Sequence, residues 1–169
     1  MKRRHVLTAT LAATVAAIGF APRRNGGSAE AASGKGDFEF TLTEAEWRER
    51  LTPEQFAVLR DHGTERAFSS PLDTENRVGL FHCAGCDLAI YDSATKFDSG
   101  TGWPSFWAAI DGAVGTSRDF KLIYPRTEVH CARCGGHQGH IFSDGPEPTG
   151  ERHCINGVAM TFRPSETAS

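Results

Sequence analysis

Short apolar runs alternate with turn residues along most of the chain. After residue 64 the runs are VGLFHC, LAIYD, KLIYPRTEVHC, QGHIF and VAMTFRP. Turn-forming stretches such as DSGTG, IDGAVG and SDGPEPTGE separate them. Short β-rich runs bounded by glycine, proline and aspartate are typical of antiparallel strands. The pattern therefore predicts a small antiparallel β domain.

Two short helices are predicted ahead of these strands. The stretch TEAEWRERL begins with Thr43 and has Glu46 three residues later, which is a capping box. In TPEQFAVLRDHG, Thr52 is the expected N-cap and Gln55 closes a second box. Gly63 is expected to stop this helix. The chain is thus predicted to be mainly β, with short N-terminal helices.

The first 31 residues have a different pattern. The adjacent Arg3 and Arg4 precede a weakly apolar run from Val6 to Phe20, and a small, polar stretch follows. This is the three-part layout of an export signal, and the paired arginines favour the twin-arginine type. An A-x-A site predicts cleavage after Ala31. A membrane anchor is the alternative, although threonines interrupt the short apolar run.

The sequence pattern predicts four segments along the chain. They are a signal peptide over 1–31, a flexible leader over 32–40, one domain over 41–164 and a tail over 165–169. The mature protein is expected to be exported to the periplasm or another extracytoplasmic space. No apolar run of membrane-spanning length follows the signal, so we expect no stable membrane insertion of the mature domain.

Removal of the signal makes the protein more acidic. The whole chain has 18 basic and 21 acidic residues and a formal net charge of −3. The signal contains five basic residues and one acidic residue, which leaves 13 basic and 20 acidic residues and a net charge of −7. Phosphate binding needs a basic face, so this composition argues against a nucleic-acid partner.

Four of the five cysteines form two C-x-x-C pairs, Cys83 with Cys86 and Cys131 with Cys134. Four thiolates are the tetrahedral ligand set of a structural Zn²⁺ site. We therefore predict one zinc ion that joins two distant segments of the domain. Disulfides are the alternative, because exported chains meet oxidants.

The fifth cysteine, Cys154, has no partner in this scheme. Such a residue is either a buried apolar residue or a reactive thiol. Along a strand, Arg152 and Asn156 share its face. Arg152 would favour the thiolate, and Asn156 could donate a hydrogen bond to an oxygen developing nearby.

A polar cluster follows the second cysteine pair, in GGHQGHIFSDGP. It contains His137, His140 and Asp144. Histidine is the usual acid or base near neutral pH, so these residues are candidates for proton transfer. Further metal ligands or a solvated turn are the alternatives.

An aromatic cluster lies in SGTGWPSFW and includes Trp103 and Phe106. These rings are either plain core or the apolar wall of a small binding site. Methyl groups bonded to sulfur pack well on aromatic rings.

These motifs, in this order, resemble the methionine-R-sulfoxide reductase B family. The stretches CAGCDLAIYDSATKFDSGTGWPSF and CARCGGHQGHIFSDGPEPTGERHCINGVAMTF carry the resemblance, which extends from about Phe40 to Pro164. It implies a β fold of two antiparallel sheets, a structural zinc on the two cysteine pairs, and reduction of the R epimer of methionine sulfoxide in oxidised proteins.

The resemblance also implies roles for individual residues. Cys154 would attack the sulfoxide sulfur, and Trp103, with Phe106 nearby, would form the wall that receives the substrate methyl group. The polar side of the pocket would comprise His137, His140, Asp144, Arg152 and Asn156, with either histidine orienting or protonating the sulfoxide oxygen.

Two positions depart from the common family pattern. Thr101 stands where many members have a resolving cysteine, and His153 stands where tyrosine is common. With no spare cysteine, the chain is expected to need an external reductant such as a thioredoxin-like protein.

We expect the protein to act as a monomer. A non-catalytic zinc-ribbon module and an exported thiol peroxidase or disulfide exchange protein are the alternative functions.

Overall fold

The computed structural model describes residues 38–120 and 124–166. The predicted signal peptide over 1–31 and most of the leader lie outside the described residues. Within the described ranges, no helix has both the length and the apolar character needed to cross a membrane.

Both predicted helices are confirmed and begin at the expected residues, but the second ends at Leu59, before the expected stop at Gly63. Helix α1 spans Glu44–Arg50 and helix α2 spans Pro53–Leu59, each with a complete capping box at its N-terminus. The side chains of Thr43 and Thr52 accept hydrogen bonds from the third helical residue, which satisfies amide groups that the helix leaves unpaired. The apolar face of α2 is buried and packs towards the sheets.

Nine strands of the described chain form two antiparallel sheets, as predicted. The strands are β1 (Gly79–Cys83), β2 (Ala89–Asp92), β3 (Lys96–Phe97), β4 (Ser105–Phe106), β5 (Val114–Asp119), β6 (Arg126–Cys131), β7 (His137–Phe142), β8 (Arg152–Ile155) and β9 (Met160–Pro164). One sheet has the order β2-β1-β9, and the other has the order β3-β4-β8-β7-β6-β5.

Aromatic side chains join the two sheets. Phe106 on β4 stacks on Tyr91 of β2 with ring centroids 4.3 Å apart, and it meets the edge of Phe81 on β1 at 5.0 Å. All three rings are fully buried. Offset and edge-to-face pairs add to the stabilisation from burial itself. This core fixes β4, and with it the neighbouring strand β8.

Candidate active site

Strand β8 places Cys154 in the middle of the six-stranded sheet. Cys154 lies opposite Ser105 of β4 on one side and opposite His140 of β7 on the other. A side chain at Gly139 would collide with the carbonyl oxygen of Cys154, so only glycine lets β7 approach β8 this closely. The predicted nucleophile and one predicted histidine are therefore cross-strand neighbours.

A cavity of about 150 Å³ opens beside this pair. Its walls include Trp103, Arg126, His140, Cys154 and Asn156. The indole nitrogen of Trp103 donates a hydrogen bond to the Glu65 carbonyl oxygen at 3.2 Å, which fixes the ring at the cavity wall. The cavity combines one thiol, one apolar wall and a polar side.

Opposing effects act on the thiol of Cys154. Burial raises its pKa above the ordinary value, while the Arg152 charge and hydrogen bonds from Thr101 and Arg152 lower it in part. Arg152 therefore acts in the direction that its position in the sequence suggested, but burial dominates. The thiolate needs these donors, because a half-buried anion loses much of its hydration.

Arg152 is held in place from two directions. Its guanidinium donates two hydrogen bonds to the Asp144 carboxylate, each of 2.9 Å, and it lies 4.5 Å from the centre of the Phe142 ring. The same pairing lowers the pKa of Asp144. Asp144 thus orients the cation that faces Cys154.

His140 lies on the cavity wall with a carboxylate behind it. Its Nε2 donates to the Asp119 carboxylate at 2.8 Å, and Arg126 pairs with the same oxygen at 2.6 Å. Burial lowers the pKa of His140, and Asp119 counteracts part of this effect. Because the Nε2 of His140 is hydrogen-bonded to Asp119, its Nδ1 is the nitrogen that remains for proton exchange in the cavity.

His137 is buried behind His140 rather than on the cavity wall. Its Nδ1 donates to Glu128 at 2.7 Å, and its ring packs on the His140 ring at 5.3 Å. Glu128 also accepts from Ser117 at 2.6 Å and from His62 at 2.9 Å. Burial opposes ionisation of Glu128, but these three donors outweigh it and hold its pKa well below the usual range. His137 is therefore oriented by an ionised carboxylate.

Asn156 lies on the cavity wall, but its amide also supports the backbone. Its Nδ2 donates to the Gln138 carbonyl oxygen at 2.9 Å, and its Oδ1 accepts from the Glu65 amide at 3.0 Å. The carboxylate of Glu65 in turn accepts from the Gly157 and Val158 amides. Asn156 thus ties β8 to the segment that holds Trp103.

Phe106 and His153 point away from the cavity. Phe106 lies in the core between the sheets and supports β4 from behind. His153 is also buried, and its Nδ1 bonds the hydroxyl of Tyr91 at 3.0 Å. Neighbouring side chains of a strand face opposite ways, so His153 is on the far side of β8 from Cys154.

The four paired cysteines converge at a second place in the fold. Their sulfur atoms all lie within 4.8 Å of one another, with Cys83 and Cys134 3.7 Å apart and Cys86 and Cys131 3.5 Å apart. All four are buried and free, whereas the sulfurs of a disulfide lie about 2.05 Å apart. This geometry favours a metal site over the disulfide alternative.

The sequence comparisons with a family model and with individual relatives agree with each other. The family model described as "SelR domain" matches residues 51–164. A protein of Agrobacterium fabrum is 53% identical over 123 residues, which cover 72% of this chain and 91% of the relative. A Pseudomonas putida W619 protein is 53% identical over 124 residues, covering 73% and 93%, and a Leifsonia xyli protein is 46% identical over 136 residues, covering 79% and 98%. All three bear the name "Peptide methionine sulfoxide reductase MsrB".

Proposed function

The chain belongs to the methionine-R-sulfoxide reductase B family, and on that basis we propose that Cys154 is the nucleophile with which it reduces the R epimer of methionine sulfoxide in oxidised proteins. The observation that carries the proposal is the cavity, which brings Cys154, His140 and Trp103 together from three separate segments. A non-catalytic zinc module would need none of these three, and a peroxidase would need no aromatic wall.

The chemistry follows from the residue types around the cavity. The thiolate of Cys154 attacks the sulfoxide sulfur while the sulfoxide oxygen takes up a proton. The net step converts a thiol and a sulfoxide into a sulfenic acid on Cys154 and a thioether, the repaired methionine. His140 delivers the proton through Nδ1, and Glu128 keeps His137 in a fixed orientation beside it.

Trp103 determines how the substrate enters. The indole is held by Glu65 at the cavity wall, so it presents a fixed apolar face. The methyl group of the sulfoxide packs on this face, and the sulfoxide oxygen then points to the polar side, where His140 and Asn156 lie. With these two substituents on opposite sides and Cys154 as the third fixed point, at the sulfur, the cavity selects one epimer.

Regeneration requires a thiol from outside the chain. Four of the five cysteines belong to the buried cluster, and the Thr101 hydroxyl occupies the position beside the Cys154 sulfur. A reducing thiol condenses with the sulfenic acid to a mixed disulfide and water, and a second thiol releases Cys154. The enzyme is thus of the single-cysteine type, with a thioredoxin-like protein as the expected donor.

We propose Zn²⁺ as the ion of the four-cysteine cluster. A tetrahedral ion with Zn–S bonds of about 2.3 Å spaces its sulfurs about 3.8 Å apart. The observed separations of 3.5 and 3.7 Å fit this arrangement. The twin-arginine pattern supports export of the folded protein, and a site filled in the cytoplasm would survive such export.

Epimer selectivity tests the function directly. Given a dithiol, the protein is expected to turn over a peptide containing methionine-R-sulfoxide, with kcat/KM at least about 100-fold above that for the S epimer, because the methyl and oxygen positions are fixed. Separate R and S peptides, analysed by chromatography, provide the measurement. Comparable rates on both epimers, or activity on the S epimer alone, would refute the proposal.

Thr101→Cys tests the mode of regeneration. Because the side chain at this position is near enough to Cys154 to lower the pKa of its thiol, the variant is expected to form an intramolecular disulfide after one turnover, whereas the natural chain keeps a sulfenic acid. Mass spectrometry after a single turnover, with a sulfenic-acid trap, distinguishes the two products. Thr101→Ser, which keeps a hydroxyl, is the matched control. A disulfide to Cys154 in the natural chain would contradict the single-cysteine scheme.

A further inference from the structure

A second group of potential metal ligands lies behind the candidate active site. Among the described residues, two groups bring the ligand atoms of at least three His, Cys, Asp or Glu side chains within 4.8 Å of one another. One is the four-cysteine cluster, and the other comprises His62, Glu128 and His137. Two imidazoles and one carboxylate are a common ligand set for borderline transition-metal ions.

The geometry points to a second metal-binding site at His62, Glu128 and His137, selective for a divalent transition ion such as Zn²⁺, Co²⁺, Ni²⁺ or Cu²⁺. In both histidines Nδ1 lies against the same Glu128 oxygen, at 2.9 Å for His62 and 2.7 Å for His137. Tetrahedral ligands at about 2.1 Å from an ion are about 3.4 Å apart, so each Nδ1 needs to move away from the Glu128 oxygen by only roughly 0.5–0.7 Å.

The surroundings of Glu128 favour a cation. Ser117 donates to its other oxygen at 2.6 Å and so orients the carboxylate from behind. Within the described ranges, no lysine or arginine pairs with Glu128. By contrast, the Asp119 carboxylate behind His140 already forms an ion pair with the Arg126 guanidinium. The negative charge of Glu128 is therefore available to an ion.

His62 supplies both a ligand and an entry route. Its backbone has φ of +55°, in the left-handed region, just after helix α2. A non-glycine residue is disfavoured there, and glycine or asparagine is usual at such a helix end. The imidazole remains 44% exposed while Nδ1 faces Glu128, so an ion can reach the group from solvent.

The metal would bind to Nδ1 of each imidazole. The His62 side chain is partly exposed to water, and the buried Nε2 of His137 has no hydrogen-bond partner among the described residues. The ion would then hold the His137 ring through Nδ1 in place of its bond to Glu128.

Cobalt titration of the full chain, prepared with a single Zn²⁺ per chain in the four-cysteine cluster, tests the site. We expect one Co²⁺ to bind in addition to the cysteine-bound ion, with weak d–d absorption and no thiolate charge-transfer band. His62→Asn suits the left-handed backbone and removes the imidazole, so affinity should fall at least tenfold. His82→Asn is the matched control, because its ring is 3.7 Å from one carboxylate, of Asp87, and belongs to no such group. No second equivalent, or equal affinity in His62→Asn, would overturn the site.

Metal binding at this site should also inhibit the reductase activity. This expectation rests on the proposed function and is measured separately. His137 packs on His140, so reductase activity should fall in parallel with cobalt occupancy and return when a mild chelator removes the ion. Inhibition in His62→Asn should need at least tenfold more metal. Binding without inhibition would overturn the link to activity and leave the site intact. Absence of turnover before any metal is added would count against the proposed function instead.

Discussion

Replacing Cys154 by serine is expected to abolish reduction of methionine-R-sulfoxide, with a loss in kcat/KM of at least about 10³-fold, or about 4 kcal/mol. Two physical reasons combine. The serine hydroxyl scarcely ionises near neutral pH and is a poor nucleophile towards sulfur. It also cannot hold the transferred oxygen as a sulfenic acid. Single-turnover measurement of the released methionine, with excess protein, isolates this step from regeneration.

The fold should tolerate this change. Cys154 is only partly buried, and serine replaces its sulfur with a single smaller and more polar oxygen atom. Thermal unfolding is therefore expected within a few degrees of the natural chain, and the zinc content should be unchanged. Retained activity in a folded Cys154→Ser variant would place the nucleophile elsewhere and remove the basis of the proposed mechanism.

The elements with strong local signals were predictable from the sequence. The capping boxes located both helices, and apolar runs located strands such as β1, β7 and β9. Strand β5 was missed, because Val114–Asp119 is a largely polar segment at the edge of the larger sheet. Strands β3 and β4 have two residues each, which is too short for any periodicity. Pairing with neighbouring strands, rather than composition, forms these three strands.

The reactive residue types of the site were also predictable, but their hydrogen-bond partners were not. Asp119 and Glu128 come from β5 and β6, and Glu65 precedes the strands altogether. No local spacing joins them to His137, His140 or Trp103. Strand register does so: Glu128 lies directly opposite His140 across β6 and β7. Long-range pairing therefore supplies the groups that orient the site.

The pKa of the Cys154 thiol was also only partly predictable from the sequence. The sequence indicates that Arg152 shares the face of Cys154 and favours the thiolate. It does not indicate how deeply the two sheets and the segment around Thr101 bury that face. In the structure burial outweighs Arg152, and the pKa of Cys154 is raised. Neighbours along a strand can be deduced from spacing, whereas desolvation depends on the packed fold.

The four-cysteine cluster joins parts of the fold that are otherwise distant. Cys83 ends β1 in the smaller sheet, and Cys131 ends β6 in the larger one. The turns after these strands supply Cys86 and Cys134. An ion bound to all four therefore clips the two sheets together, and its binding free energy adds to the free energy of unfolding.

Cys131→Ser is expected to lower the melting temperature by roughly 10–20 °C, which corresponds to a loss on the order of 5 kcal/mol. The variant removes one ligand and leaves the remaining buried thiolates without a full charge partner. Metal analysis and thermal unfolding check this result, with Cys154→Ser as the matched cysteine control that keeps its ion. A strong chelator should destabilise the natural chain in the same direction. Full zinc content and an unchanged melting temperature in Cys131→Ser would contradict the structural role, because a fully buried ligand cannot be dispensable in a site that holds two sheets together.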